Sequence, residues 1–134
     1  MFVDAAAIIA ILSDEDEAER CSRAIASTDE RMTSAIAVWE AAIGLARPDK
    51  LGMSVETSGR MVTRFLEERG IIVCELPNAT EAVMLSLSAA RRFRTGANRL
   101  NLADCFHYAC AKHYNVPILS TADEFRFTDI ETAP

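Results

Sequence analysis

The chain has 134 residues, and 14 Lys+Arg against 20 Asp+Glu leave a formal net charge of −6. Half of the residues are apolar and a quarter charged, which excludes a disordered chain and suits one globular domain over residues 1–134 that needs no staples. The longest apolar run, Ala5 to Leu12, is far short of the ~20 residues a membrane-spanning helix needs, and Asp4 stands where an export signal carries Lys or Arg. The expectation is a cytoplasmic protein with no membrane association.

The elements alternate along the chain. Met1 to Val3 reads as a short strand, and Ala5 to Leu12 as a buried helix or a continuation of that strand, alanine favouring the helix. Ser13-Asp14-Glu15 offers a cap and an acidic first turn for a helix running to about Ala26. Met32-Thr33 is a brief extended segment, after which Ser34 caps a third helix ending at Ala46 before the Arg47-Pro48-Asp49 turn. Ser54 opens a fourth helix that Gly70 stops. The β-branched run Ile71-Ile72-Val73-Cys74 has strand length. Asn78 or Thr80 starts a fifth helix to about Phe93, and a loop through Gly96 leads to a sixth from Asn101 to Tyr114. Val116 to Leu119 is a buried strand, and Thr128 to Thr132 an edge strand. Short apolar strands separated by helices predict a three-layer α/β/α sandwich around a mostly parallel sheet. Ligands in such folds bind beyond the carboxyl ends of the strands.

Four acids fall at informative places. Asp4 ends the first strand, where it either caps the following helix or faces a ligand. Glu40 is surrounded in sequence by Ile36, Ala37, Val38, Trp39, Ala41, Ala42 and Ile43, so its helix is apolar nearly all the way round. A carboxylate there needs a cationic partner such as Arg47, a raised pKa or a metal ion. Asp104 lies three residues after Asn101, the spacing of a capping box, and the helix dipole would also keep it ionised. Asp123 follows the last buried strand, and Thr121 with Glu124 offers a capping box around it. Carboxylate oxygens gathered at one rim suit hard cations such as Mg²⁺ or Mn²⁺. With no obvious nucleophile, that points to metal-activated water attacking a phosphodiester.

The remaining chemistry-bearing side chains say less. The four cysteines, Cys21, Cys74, Cys105 and Cys110, read as reduced thiols packed as small apolar groups. Cys105, Cys110 and His113 share a helix, but their spacing matches no usual zinc pattern. His107 and His113 have no recognisable triad partner and read as structural, while Trp39, Phe93, Tyr108 and Tyr114 read as core.

The stretches Met-Phe-Val-Asp-Ala-Ala-Ala-Ile-Ile-Ala-Ile-Leu, Trp-Glu-Ala-Ala-Ile-Gly-Leu around Glu40, Leu100-Asn101-Leu102-Ala103-Asp104-Cys105-Phe106, and Asp123-Glu124-Phe125 followed by Thr128-Asp129-Ile130 together resemble PIN-domain ribonucleases of the VapC toxin type. The resemblance runs the whole length of the chain, in order. It implies a PIN-like fold and Mg²⁺- or Mn²⁺-dependent endonucleolytic cleavage of RNA, as the toxin of a type II toxin-antitoxin pair. It also implies a homodimer and a VapB-type antitoxin partner. The family's acidic positions fall on Asp4, Glu40, Asp104 and Asp123, which would bind the metal and carry catalysis. One departure is Ala6, where the family usually has Ser or Thr, a hydroxyl that supports the metal's surroundings.

Arg91, Arg92, Arg94 and Arg99 form the one dense basic stretch, just before Asp104. Phosphate contacts there would attract RNA to an otherwise acidic chain, although arginines are also favourable at a helix C-terminus. Two other functions compete. An inactive PIN-like module that binds RNA or protein draws on Ala6. A haloacid-dehalogenase-like phosphatase would need a second Asp two residues after Asp4, where Ala6 stands, and a receiver domain lacks its acid pair.

Overall fold

A computed structural model describes residues 1–96 and 99–134. Four short strands build one sheet: β1 (Phe2–Val3), β2 (Met32–Ser34), β3 (Ile72–Cys74) and β4 (Ile118–Leu119). Their spatial order is β3-β2-β1-β4, and every pairing is parallel, with Phe2 beside both Met32 and Ile118. Between them run α1 (Ala5–Leu12), α2 (Ala18–Ala26), α3 (Ala35–Ala46), α4 (Val55–Arg69), α5 (Ala79–Phe93) and α6 (Leu102–Tyr114). The chain steps one way across the sheet from β1 to β3, then returns past β1 to β4. Right-handed crossovers therefore carry the α5–α6 pair over the face opposite the α1–α2 and α3–α4 pairs, giving the expected α/β/α layers.

Local chemistry sets most of the helix ends. Ser34, Ser54, Asn78 and Asn101 each accept a backbone N–H of the following turn, which satisfies donors the helix cannot. Gly70 closes α4 in the left-handed region, at φ 61°, where a side chain is disfavoured. Phe2, Val3, Ile8, Leu45, Leu119 and Phe125 are fully buried between the layers.

Several expectations need correction. Ser13 does not open a second helix; it ends α1, its N–H and Oγ both returning to Ile9 O. Asp14 then takes a positive φ of 54°, which breaks the helical path, and α2 starts only at Ala18. Thr128 to Thr132 contributes a single parallel bridge, Thr132 beside Ile118, while a 3₁₀ turn over Asp123–Phe127 takes up the preceding residues. No side chain caps that turn, so the Thr121–Glu124 box does not form. Trp39 is 65% exposed rather than part of the core. Only one side of α3, through Ala37, Ala41, Ala42 and Leu45, turns inward, and its apolar composition overstates its burial.

Candidate metal centre

The first crossover leaves β1 on one side while β4 lies on the other, so a crevice opens beyond the carboxyl ends of these two strands. Asp4 is the residue after β1. It is buried and caps α1, its Oδ1 accepting the Ala5 N–H at 2.8 Å. Its Oδ2 accepts the Ser120 hydroxyl at 2.7 Å, and Arg20 holds the Ser120 carbonyl at 3.0 Å. Burial pushes the Asp4 carboxyl up, but the His107 ring beside it and these hydrogen bonds outweigh burial and hold it below the usual range.

Glu40 projects from α3 and is partly buried. Burial raises its pKa, His107 opposes that, and the neighbouring Asp4 and Asp104 raise it further. Asp104 sits in the first turn of α6, where the capping box is complete: Asp104 N–H donates to Asn101 Oδ1 at 3.0 Å, and Asn101 N–H donates to Asp104 Oδ2 at 2.6 Å. Even so, burial first, with Asp4 and Glu124 adding to it, pushes Asp104 up to about 6. Asp4, Ala6, Glu40, Asn101, Asp104 and Glu124 line one cleft of about 150 Å³.

His107, one helical turn after Asp104, lies between two of these acids and is 0% exposed. Its Nδ1 is 2.7 Å from Asp4 Oδ1 and its Nε2 is 3.6 Å from Glu40 Oε2. The first contact lacks the alignment of a hydrogen bond and the second is too long, so neither ring nitrogen has a hydrogen-bond partner. Among the described residues, Asp4, Glu40 and His107 are the one group whose donor atoms approach closely enough to share an ion, all within 4.8 Å of one another. Three crowded carboxylates, two of them with raised pKa values, beside a buried imidazole with no hydrogen bond make a donor set that fits a divalent cation. Cys105, Cys110 and His113 form no such group; His113 Nδ1 lies 3.0 Å from Glu81 instead.

The PIN domain family profile matches residues 1–131. The chain belongs to the PIN domain family. Over 132 residues it is 34% identical to a ribonuclease VapC of Mycolicibacterium smegmatis, covering 97% of each chain. It is 34% identical to ribonuclease VapC42 of Mycobacterium tuberculosis, covering 99% of this chain and 98% of that one. Ribonuclease VapC30 of the same organism shares 31%, over 98% and 97% of the two chains. The crystal structure of Mycobacterium tuberculosis VapC20, a sarcin-ricin loop cleaving toxin, superposes with a TM-score of 0.74 at 15% identity, over 99% and 98% of the two chains; at that identity it speaks for the fold.

In this VapC-type PIN domain, three of the four acids singled out in the sequence, Asp4, Glu40 and Asp104, face one cleft. Asp123 does not line it: its side chain is 70% exposed, with Arg126 Nε 3.4 Å away. Glu124 faces the cleft instead, because neighbours in a 3₁₀ turn of three residues point about 120° apart. From the sequence, His107 reads as structural, Glu124 has only a capping role, and Ser120 is not singled out. The spacing of Asp104 and His107, three apart on one helix, was the available signal for a shared face.

Of the arginines, Arg94 and Arg99 line a second cleft of about 530 Å³, which Asn101 joins to the acidic one. Arg91 is exposed on the last turn of α5. Arg92 is engaged within the protein, its guanidinium 3.2 Å from Asp129 Oδ2 and 3.5 Å from the Tyr108 hydroxyl. No described helix is long and apolar enough to cross a membrane.

Proposed function

We propose that this PIN domain is a divalent-metal-dependent endoribonuclease, the toxin of a type II pair, which cuts RNA phosphodiester bonds hydrolytically. The observation that carries the reading is the convergence of Asp4, Glu40 and Asp104 on one cleft beside His107, whose nitrogens are unsatisfied. Asp4, Glu40 and Asp104 would hold the ion, Mg²⁺ or Mn²⁺, with Glu124 of the 3₁₀ turn lining the same cleft and Asp123 beside it on that turn as an outer carboxylate. When bound, a divalent ion lowers the pKa of water and polarises the phosphoryl oxygens.

The chain's own residues do the rest. Asp4 is held ionised by the His107 ring beside it, Ser120 and the Ala5 N–H, ready to serve as a fixed anionic donor. Glu40, with its raised pKa, lies where it can orient an attacking water or take its proton. The Asn101–Asp104 box locks the start of α6 and so the direction of the Asp104 carboxylate. Arg91, Arg94 and Arg99 guide the phosphate backbone toward the acids, while Arg92 is tied to Asp129. The partners are RNA, a VapB-type antitoxin that silences the site, and a second copy of the chain in a homodimer; the setting is the cytoplasm.

Cleavage of a mixed structured RNA pool tests the reading. With Mg²⁺ or Mn²⁺ the protein cuts; with EDTA, or as Glu40→Gln purified in parallel, it does not. A folded protein that binds RNA but cuts with neither ion would leave the binding-module reading standing. That reading rests on Ala6, but Ser120 supplies Asp4 with the hydroxyl that Ala6 lacks.

A further inference from the structure

Asp4, Glu40, Asp104 and Glu124 account for an oxygen-lined cleft, but not for His107. A fully buried imidazole is unusual without a hydrogen-bond partner for either nitrogen, because an unsatisfied buried polar atom bears the whole cost of leaving water. Packing does not explain it: the Phe2 ring lies 5.8 Å away, tilted by 36°, and offers no hydrogen bond. The ring is fixed by its place on α6 between two carboxylates, Asp4 at Nδ1 and Glu40 at Nε2.

We infer that His107 is a ligand of the metal centre, its Nε2 joining Asp4 and Glu40 oxygens to make a mixed nitrogen–oxygen site that prefers first-row transition ions to Mg²⁺. The inference rests on the metal-centre reading above and deepens it. Two donors each about 2.1 Å from one ion lie about 3.0 Å apart at an octahedral right angle and about 3.4 Å at a tetrahedral one, so the 3.6 Å between His107 Nε2 and Glu40 Oε2 closes by a few tenths of an ångström when both ligate. Nδ1 lies 2.7 Å from the Asp4 carboxylate, which leaves Nε2, on the Glu40 side, as the nitrogen open to an ion. Mg²⁺ takes hard oxygen donors and gives up its waters reluctantly. An imidazole donor shifts the balance toward softer divalent ions.

The test uses metal-free full-length protein titrated with Mn²⁺ and, separately, Mg²⁺ by calorimetry, followed by pulsed electron paramagnetic resonance of the Mn²⁺ complex at one ion per chain. The expected results are Mn²⁺ binding at least about tenfold tighter than Mg²⁺ and ¹⁴N modulation from a coordinated imidazole. In His107→Gln the ¹⁴N signal disappears and the preference falls to about threefold or less, while carboxylate binding of Mg²⁺ persists. His113→Gln, remote from the cleft, keeps the signal. The pulsed measurement on the unaltered protein decides the matter even if His107→Gln does not fold. Mn²⁺ binding without ¹⁴N coupling overturns the ligand role and leaves the acidic metal centre intact, His107 then being only a buried counter-ion to Asp4. Failure of both ions to bind overturns the metal centre and the inference with it.

Discussion

The Ser120 hydroxyl donates a 2.7 Å hydrogen bond to Asp4 Oδ2, tying the ends of β4 and β1 together across 116 positions of the chain. Ser120 Oγ also accepts the Ala122 N–H at 3.0 Å, so one hydroxyl links the central carboxylate to the start of the acidic 3₁₀ turn. This is the support that Ala6 cannot provide. Losing such a contact weakens metal affinity by about tenfold or more. Ser120→Ala is therefore expected to weaken Mn²⁺ binding by about that factor, read by calorimetry. Adding Ala6→Ser in that background restores part of the loss; unchanged affinity in Ser120→Ala would show that Asp4 is held well enough by Ala5 and His107.

Asp104 carries a carboxyl pushed up to about 6, chiefly by burial. Asparagine at this position still accepts the Asn101 N–H, so the capping box survives. In urea unfolding with EDTA at pH 7, Asp104→Asn is expected to match the unaltered protein or exceed it by about 1–2 kcal/mol, since partial exposure discounts the full effect. RNA cleavage is lost in the same variant. A clear destabilisation would mean that Asp104 serves the helix rather than the metal.

Within the 3₁₀ turn, Glu124 lines the cleft while Asp123 faces solvent and Arg126. Glu124→Gln is expected to lower cleavage at limiting Mn²⁺ by about tenfold, and Asp123→Asn by about threefold or less, on the size of outer contacts at metal sites. The reverse order, measured as kcat/KM on one defined RNA, would show that the turn rearranges when substrate binds.

Arg94 and Arg99 flank the large cleft and Arg92 is paired internally. RNA affinity measured by fluorescence anisotropy in EDTA, over a range of salt, separates these roles. Arg94→Ala and Arg99→Ala should each weaken binding and flatten the log–log salt slope by about 0.7, the increment for one single-strand phosphate contact. Arg92→Ala should leave the slope nearly unchanged and lower thermal stability instead. Slopes untouched by Arg94→Ala and Arg99→Ala would remove this stretch from the RNA path.

Asp129 receives the Tyr108 hydroxyl at 2.8 Å and pairs with Arg92 and Lys112, each at 3.2 Å. Burial alone would raise its carboxyl, but Tyr108, Lys112 and Arg92 bring it down to about 2. A carboxyl lowered in the folded state contributes stability that is complete above its unfolded value near 3.9 and disappears as pH falls through the folded value. Stability should therefore drop by about 1 kcal/mol between pH 4 and pH 2, the exposure of these groups limiting the size. Asp129→Asn should lack that part of the acid transition in a pH series of denaturation curves.

Much of this protein is written in local patterns. Ser34, Ser54, Asn78, Asn101 and Gly70 mark helix ends through bonds and dihedrals confined to a few neighbouring residues, so reading them needs no knowledge of the fold. The apolar stretches between them were enough for a parallel α/β/α architecture, and the spacing of Asn101 and Asp104 was enough for the capping box. Asp4 at a strand end and Glu40 in an apolar helix were visible as carboxylates out of place. The partners of those carboxylates were not. Ser120 reaches Asp4 only because β4 returns past β1 in the sheet, and His107 falls between Asp4 and Glu40 only where α6 meets β1 and α3. Trp39 lies in an apolar run yet faces outward, since which side of α3 is covered depends on where its neighbours pack. The choice between Asp123 and Glu124 was set by a 3₁₀ turn that no side chain caps. Short-range hydrogen bonding is fixed by neighbours in sequence, whereas the surroundings of a buried charge are set by residues that only the folded chain brings within a few ångströms.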